Sequence, residues 1–277
     1  MSIKNILVAY NGLPGSKAAL HGAVTLQQFY GAHLTGLFAH GGSDLSHQIK
    51  PWMPAKVQEA ILEVADKSHR EVRDTFDEIC APVPQDKLHW IDHTGAVQAT
   101  VSAYARLFDI TVIGIHEETP DAGQHHIEIY PDRVAYDSGR PVMIFPSGYR
   151  ESVFKRRAVV AWDGGRAAAR ALADAMQILE DEDEVEIVSV GRSPLAEALP
   201  GIDVGTVLDR HDVKVTLTEL PKGKESIAET LSAHCEASGA GLLVMGAYEH
   251  SPLRESLIGG VTHDIALRAK LPVLMSH

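Results

Sequence analysis

Short apolar runs alternate with longer apolar stripes along the whole of this chain. Ile6–Tyr10 is a five-residue apolar run, and Ala19, Ala23 and Leu26 follow it at helical spacing. A run that short suits a strand buried on both faces, while the stripe gives a helix one apolar face. The same reading predicts strands at Leu34–Ala39, Leu88–Ile91 and Ile110–Ile113, with a helix on Val97, Val101 and Tyr104 before the last of them. Further on, Ala158–Trp162 is again a strand. Ala171, Ala175 and Ile178, flanked by Leu172, Met176 and Leu179, are again a helix face. Val185–Val190 is a strand, and Val213, Val215 and Leu217 alternate as another. Ile227, Leu231 and Cys235 mark a helix, Leu242–Met245 a strand, Val261–Ala269 a helix and Pro272–Ser276 a closing strand. Strands that alternate with helices pair in parallel and predict a doubly wound α/β sheet.

The pattern is written twice. Ile6-Leu7-Val8-Ala9-Tyr10-Asn11-Gly12 returns as Val159-Val160-Ala161-Trp162-Asp163-Gly164. Asp109–Gly114 returns as Gly241–Gly246, and Arg140-Pro141-Val142-Met143-Ile144 as Leu271-Pro272-Val273-Leu274-Met275. Three landmarks in the same order indicate a duplicated domain, with the copies expected at 1–148 and 154–277 and a polar linker at Ser147–Lys155. Asn11 and Asp163 are 152 positions apart, Gly114 and Gly246 only 132, so the first copy carries about twenty extra residues. Their expected place is between His40 and Glu78, where Pro51-Trp52-Met53-Pro54 breaks the pattern and a long helix follows.

Composition narrows the function classes. The chain has 277 residues, 45% of them hydrophobic and 22% charged, which are the proportions of a soluble globular protein. A formal net charge of -12 argues against a general nucleic-acid or anionic-membrane binder. Ile6–Tyr10 is too short for a signal-peptide core and no apolar run reaches a membrane span, so the expected location is the cytoplasm. Cys80 and Cys235 are the only cysteines. Each lies on an apolar stripe and reads as a buried thiol, not half of a disulfide framework.

The segment after the Leu242–Met245 strand carries the chemistry. It runs Gly246-Ala247-Tyr248-Glu249-His250-Ser251-Pro252-Leu253-Arg254-Glu255-Ser256-Leu257-Ile258-Gly259-Gly260-Val261-Thr262. This resembles the nucleotide loop of the universal stress protein family: Gly, two residues, Gly, nine residues, Gly, then Ser or Thr. The strand ending in Asp163-Gly164-Gly165 and the closing Leu-Pro-Val-Leu-Met strand agree with it, so the chain resembles a tandem member. The resemblance implies two repeated domains, each a five-stranded, mostly parallel sheet in the order 3-2-1-4-5. It also implies an intrachain pseudo-dimer joined at Val142–Phe145 and Val273–Met275, leaving a further homo-oligomer open. The implied function is a non-catalytic stress response, with at most one adenine nucleotide, ATP or AMP, held in the second half. The implied site comprises Ala161, Trp162, Asp163, Val190, Met245, Gly246, Glu249, Gly259, Gly260, Val261 and Thr262. Asp163 would take ribose hydroxyls, Val190 would lie near adenine, and the helix opening at Val261 would meet phosphates with its free N–H groups. Trp162 either borders the pocket or packs.

Two departures weigh against binding. Glu249 stands at the second glycine of the pattern and Gly260 at the Ser or Thr. The lost hydroxyl contact is worth about 1 kcal/mol. A carboxylate about 4 Å from phosphate costs roughly 1–4 kcal/mol, unless it turns to water or Arg166 or Arg254 offsets it. The first half departs further: Asn11 replaces the aspartate, and Ile127–Ile129 falls where the glycines should be. The alternative is a binding scaffold that has lost nucleotide and works through partner surfaces.

The remaining temptations read as surface. His116, His125 and His126 share a loop with Glu117, Glu118, Asp121 and Glu128, but lack helical metal-ligand spacing, and no metal is expected. His250 and His263 flank the second-half loop, where either a phosphate or solvent would suit them. Ser251 next to His250 does not make a catalytic pair.

Overall fold

The computed structural model describes residues 2–41, 50, 52–115, 129–149, 157–191, 200–248 and 260–277. In the first half, strands β1 (Asn5–Ala9), β2 (His33–His40), β3 (Leu88–Thr94), β4 (Ile110–Gly114) and β5 (Val142–Phe145) alternate with helices α1 (Pro14–Tyr30), α2 (Ala55–Ile79), α3 (Val97–Ala105) and α4 (Pro131–Ser138). The second half repeats this with β6 (Arg157–Ala161), β7 (Glu184–Val190), β8 (Val215–Leu220), β9 (Leu242–Gly246) and β10 (Val273–Ser276). Its helices are α5 (Arg166–Leu179), α6 (Val204–Asp209), α7 (Ile227–Ser238) and α8 (Val261–Arg268).

All ten strands form one sheet, ordered β3-β2-β1-β4-β5-β10-β9-β6-β7-β8. Each half has the expected 3-2-1-4-5 order and pairs in parallel throughout. The halves meet antiparallel: Val273 faces Ile144, Leu274 faces Met143 and Met275 faces Val142. Alone, β5 and β10 would each be an apolar edge with unpaired N–H and C=O groups; pairing closes both. Contacts elsewhere support the join. Ile3 N–H donates to Gln177 Oε1 on α5 at 2.6 Å.

Strand alternation divides the core in two. Ile6, Val8 and Tyr10 face one layer with Phe76, Cys80, Ala171, Ala175 and Leu208, from α1, α2, α5 and α6. Leu7 and Ala9 face the opposite layer with Val101, Val134, Leu231, Cys235 and Ile265, from α3, α4, α7 and α8. Both cysteines are buried, and burial pushes each thiol up to about 12, which keeps it protonated and unreactive.

Three sequence expectations need correction. The short α6 had no periodic signal; Asp203 creates it by accepting the Thr206 N–H at its N-cap. Val213 is buried but precedes β8, because Asp212 turns the chain with φ 60 and the Val213 N–H bonds Leu208. Leu217 is exposed, since β8 is an edge strand whose alternation does not bury a complete face. The extra residues of the first half do contain the long helix α2.

Glu186 on β7 is a buried carboxylate. Burial alone raises its pKa. The Thr218 hydroxyl at 2.6 Å, His234 at 3.1 Å and Arg157 at 3.6 Å outweigh that and hold it below the ordinary 4.5. A depressed folded pKa means stability that is fully present above the ordinary carboxyl range and lost as pH falls through the folded value. The stability margin of the wild type over Glu186→Gln should therefore be level near neutrality and shrink below about pH 4.5. Denaturant titrations of both proteins across pH 3–7 check this; a margin that grows on acidification contradicts it.

Candidate functional site

Within the second half, sheet order reverses between β6 and β9, which opens a crevice at their carboxyl ends. Asp163 and Gly246 stand at its two lips, just past β6 and at the end of β9. Asp163 is exposed, and its Oδ1 accepts the Gly165 N–H at 2.7 Å. Gly164, with φ 75, completes this turn into α5. The first half makes the same turn without the charge: Asn11 Oδ1 accepts the Leu13 N–H at 3.1 Å, and Gly12 has φ 80. An amide therefore replaces the carboxylate in the turn but not in its charge.

Gly246 has a structural reason that needs no ligand. A Cβ there would lie 2.6 Å from Ala167 C and Ala168 N in the first turn of α5. Gly114, its counterpart, would put a Cβ 1.9 Å from the Gly15 carbonyl oxygen at the start of α1. Both glycines let a helix terminus approach a strand end, at corresponding places in the two halves.

Other expected site residues divide by what holds them. Ala161 and Val190 are half-buried at the ends of β6 and β7. Trp162 is half-buried and packs on the core; its N–H donates to Val188 O at 2.8 Å and its carbonyl accepts from the Ser189 hydroxyl. Met245 is buried in the core, so only its backbone reaches the crevice. Gly260 is the N-cap of α8 and brings no side-chain cap, while Val261 is half-buried in the first turn. Among the described residues, no side chain caps the first N–H groups of α8. Thr262 is buried and its hydroxyl accepts the Tyr248 N–H at 3.2 Å, so the chain itself uses that oxygen. Glu249 and Gly259 lie outside the described residues, as do His116, His125, His126, His250, Ser251, Arg254 and most of the Ser147–Lys155 linker.

A cluster the sequence did not disclose joins the halves beside this site. Asp132, in the first turn of α4, is buried, and its Oδ2 accepts from the Tyr248 hydroxyl and lies 3.3 Å from His263 Nδ1 on α8. Its Oδ1 is buried with no hydrogen-bond partner among the described residues. Tyr248 itself sits at φ 56, an uncommon conformation for a tyrosine. His263 thus faces a carboxylate of the other half. No local pattern could have signalled a contact across 131 positions.

In the first half a long helix stands beside the corresponding turn. Helix α2 lies over the end of β1: a Cβ on Gly12 would meet Val72 Cγ2 at 3.0 Å. Tyr10 is buried against Phe76 and Trp90, with ring centroids 5.8 and 6.4 Å away. The equivalent of α8 here, α4, begins with Pro131, which has no N–H, and carries Asp132 in its first turn. Among the described residues, none spans a membrane as a sufficiently long apolar helix.

Comparison with known proteins agrees with this architecture. Residues 155–277 match the sequence profile of the Universal stress protein family. Universal stress protein Slr1230 of Synechocystis sp. is 26% identical over 175 residues, covering 60% of this chain and 57% of its own length. A universal stress protein structure from Archaeoglobus fulgidus superposes with a TM-score of 0.70 at 16% identity, over 98% of this chain and 95% of its own. A putative universal stress protein from Pseudomonas aeruginosa superposes with a TM-score of 0.52 at 15% identity, over 99% of this chain and 93% of its own. At such identities the structural likeness concerns the fold alone.

Proposed function

Because residues 155–277 match the universal stress protein family, we propose that this chain is a member of it, a non-catalytic stress-response protein with one adenine-nucleotide site, in its second half. The observation that carries this reading is the asymmetry of the two crevices. In the second half an exposed carboxylate, Asp163, follows β6, and α8 starts at Gly260 with no side-chain cap among the described residues. In the first half Asn11 has lost the charge, α2 sets Val72 against Gly12, and Pro131 removes a donor from the matching helix. Asp163 Oδ2 would take the ribose hydroxyls and the first turn of α8 the phosphates. Ala161 and Val190 would border the base, with Gly259 and Gly260 giving the backbone room.

A second reading, a scaffold without nucleotide, draws on two observations. Asp132 already places a carboxylate against His263 in the first turn of α8, and Thr262 has committed its hydroxyl to Tyr248. Calorimetric titration with ATP and AMP separates the readings. One site per chain is expected. Asp163→Ala should weaken it roughly 10- to 100-fold, the worth of a hydrogen bond to a charged group. Glu249→Gly should strengthen ATP roughly tenfold or more by removing a like charge. Two equivalent sites, or affinity unchanged in Asp163→Ala, overturns the single-site proposal. No binding by wild type or Glu249→Gly favours the scaffold.

A further inference from the structure

The carboxyl end of β2 holds a chemistry its second-half counterpart lacks. β2 is the counterpart of β7; by register Ala39 matches Val190, and His40, the last residue of β2, matches Gly191. Asp92 lies on the neighbouring strand β3, and His69 reaches in from α2, which at 25 residues is far longer than the six-residue α6 in the same place of the second half. Each of the three offers one ligand atom, and these atoms lie within 4.8 Å of one another. From this juxtaposition we propose that His40, His69 and Asp92 form a binding site for a zinc-class divalent transition metal.

The donor set chooses the metal class. Two imidazole nitrogens and one carboxylate oxygen suit zinc and its first-row neighbours; calcium and magnesium prefer all-oxygen shells. Three protein ligands leave a coordination position for water, and the exposed side of the site, where the Asp92 side chain is 50% accessible, supplies it. Tetrahedral bonds of about 2.0–2.1 Å place donors roughly 3.3 Å apart, so the set must close by only an ångström or so. Half-exposed Asp92 and helix-borne His69 have that freedom.

Fixed parts of the site are already in place. His40 Nε2 and Asp92 Oδ1 are 2.8 Å apart, sharing a proton that a metal would displace. The other ring nitrogen of His40, Nδ1, is buried with no partner among the described residues, so the fold leaves this imidazole half used. Phe38 orients both rings: its centroid is 4.8 Å from that of His40 and 5.0 Å from that of His69, the latter edge-on at 86°. The two imidazoles themselves are 4.7 Å apart by centroid. A core histidine needs one satisfied partner; two imidazoles and a carboxylate converging beneath α2 exceed that need.

Cobalt(II) titration of the purified full-length chain tests the proposal, because tetrahedral cobalt absorbs visibly and reports its ligands. One equivalent is expected to bind with d–d bands, to be displaced by zinc, and to raise Tm. His69→Gln and Asp92→Asn should each weaken binding at least tenfold and abolish the Tm rise. The paired edge histidines serve as a control: His33→Gln, which removes one member of the His33–His89 pair at 3.1 Å, should leave binding intact. His125→Gln with His126→Gln should also leave it intact. Asp92→Asn, at an exposed position, keeps the test decisive should His69→Gln fail to fold. Absence of a stoichiometric site, wild-type affinity in Asp92→Asn, or loss of binding with the His125 and His126 changes overturns the assignment.

Discussion

Gly114→Ala is expected to unfold the chain or lower its Tm by more than about 6 °C, at a cost of at least about 3 kcal/mol. The added Cβ would lie 1.9 Å from the Gly15 carbonyl oxygen and 2.3 Å from its carbonyl carbon. Both obstacles are backbone at the start of α1, so no rotamer change relieves them. Either the helix moves off the sheet or β4 shifts from β1. Gly246→Ala should behave alike but more mildly, since its nearest neighbours, Ala167 C and Ala168 N, are 2.6 Å away. Gly139→Ala is the informative control. Gly139 has φ 64 but nothing within 4 Å, so alanine there costs only the left-handed strain, about 1–2 kcal/mol. Thermal melts of the three variants rank the two causes. If Gly114→Ala melts no lower than Gly139→Ala, the close approach of α1 to β4 is not what requires glycine.

Leu274→Asp should abolish the folded state altogether. Leu274 is fully buried on β10, opposite Met143, at the seam where the halves join. Losing the leucine costs about 2–5 kcal/mol, and burying an unpaired carboxyl adds several more. Together these match the roughly 5–15 kcal/mol that keeps a whole domain folded. Because the seam lies in the middle of a ten-stranded sheet, the damage reaches both halves. Leu267→Asp, at a 41% accessible position on α8, should stay folded. Circular dichroism and hydrogen exchange read the difference: protection should collapse in β5 as well as β10. A Leu274→Asp protein that melts within a few degrees of wild type would mean that the seam does not carry the fold.

These two sites show different degrees of legibility. The strand runs, the helical stripes and the duplication were readable because burial imposes periods of about 2 and 3.6 on the sequence itself. The antiparallel seam followed from the same logic, since two apolar terminal strands need covering. Helices α4 and α6 escaped: α6 has only six residues, and the apolar Val134, Ala135 and Tyr136 of α4 are consecutive and form no stripe. At the candidate site, Gly246 and Gly259 were visible as a spacing motif, Asp163 as a strand-end landmark, and Gly260 as a departure from the pattern. What each one touches was not. Gly246 faces the backbone of α5, Thr262 serves Tyr248, and Trp162 packs on the core.

The sequence by itself determined the alternation of elements, the two copies, the order of strands implied by the family resemblance, and the loss of charge at Asn11. All of these are local patterns, or comparisons of one local pattern with another. Only the tertiary structure decided what stands beside the first crevice, where α2 sets Val72 against Gly12. It alone brought Asp132 to Tyr248 and His263 across the seam, and His40, His69 and Asp92 to one point above the sheet. The physical reason is separation along the chain. His40 and Asp92 are 52 positions apart, and Asp132 and His263 are 131 apart. No side-chain periodicity connects such residues; they meet only because sheet register and helix packing carry distant segments to the same carboxyl edge.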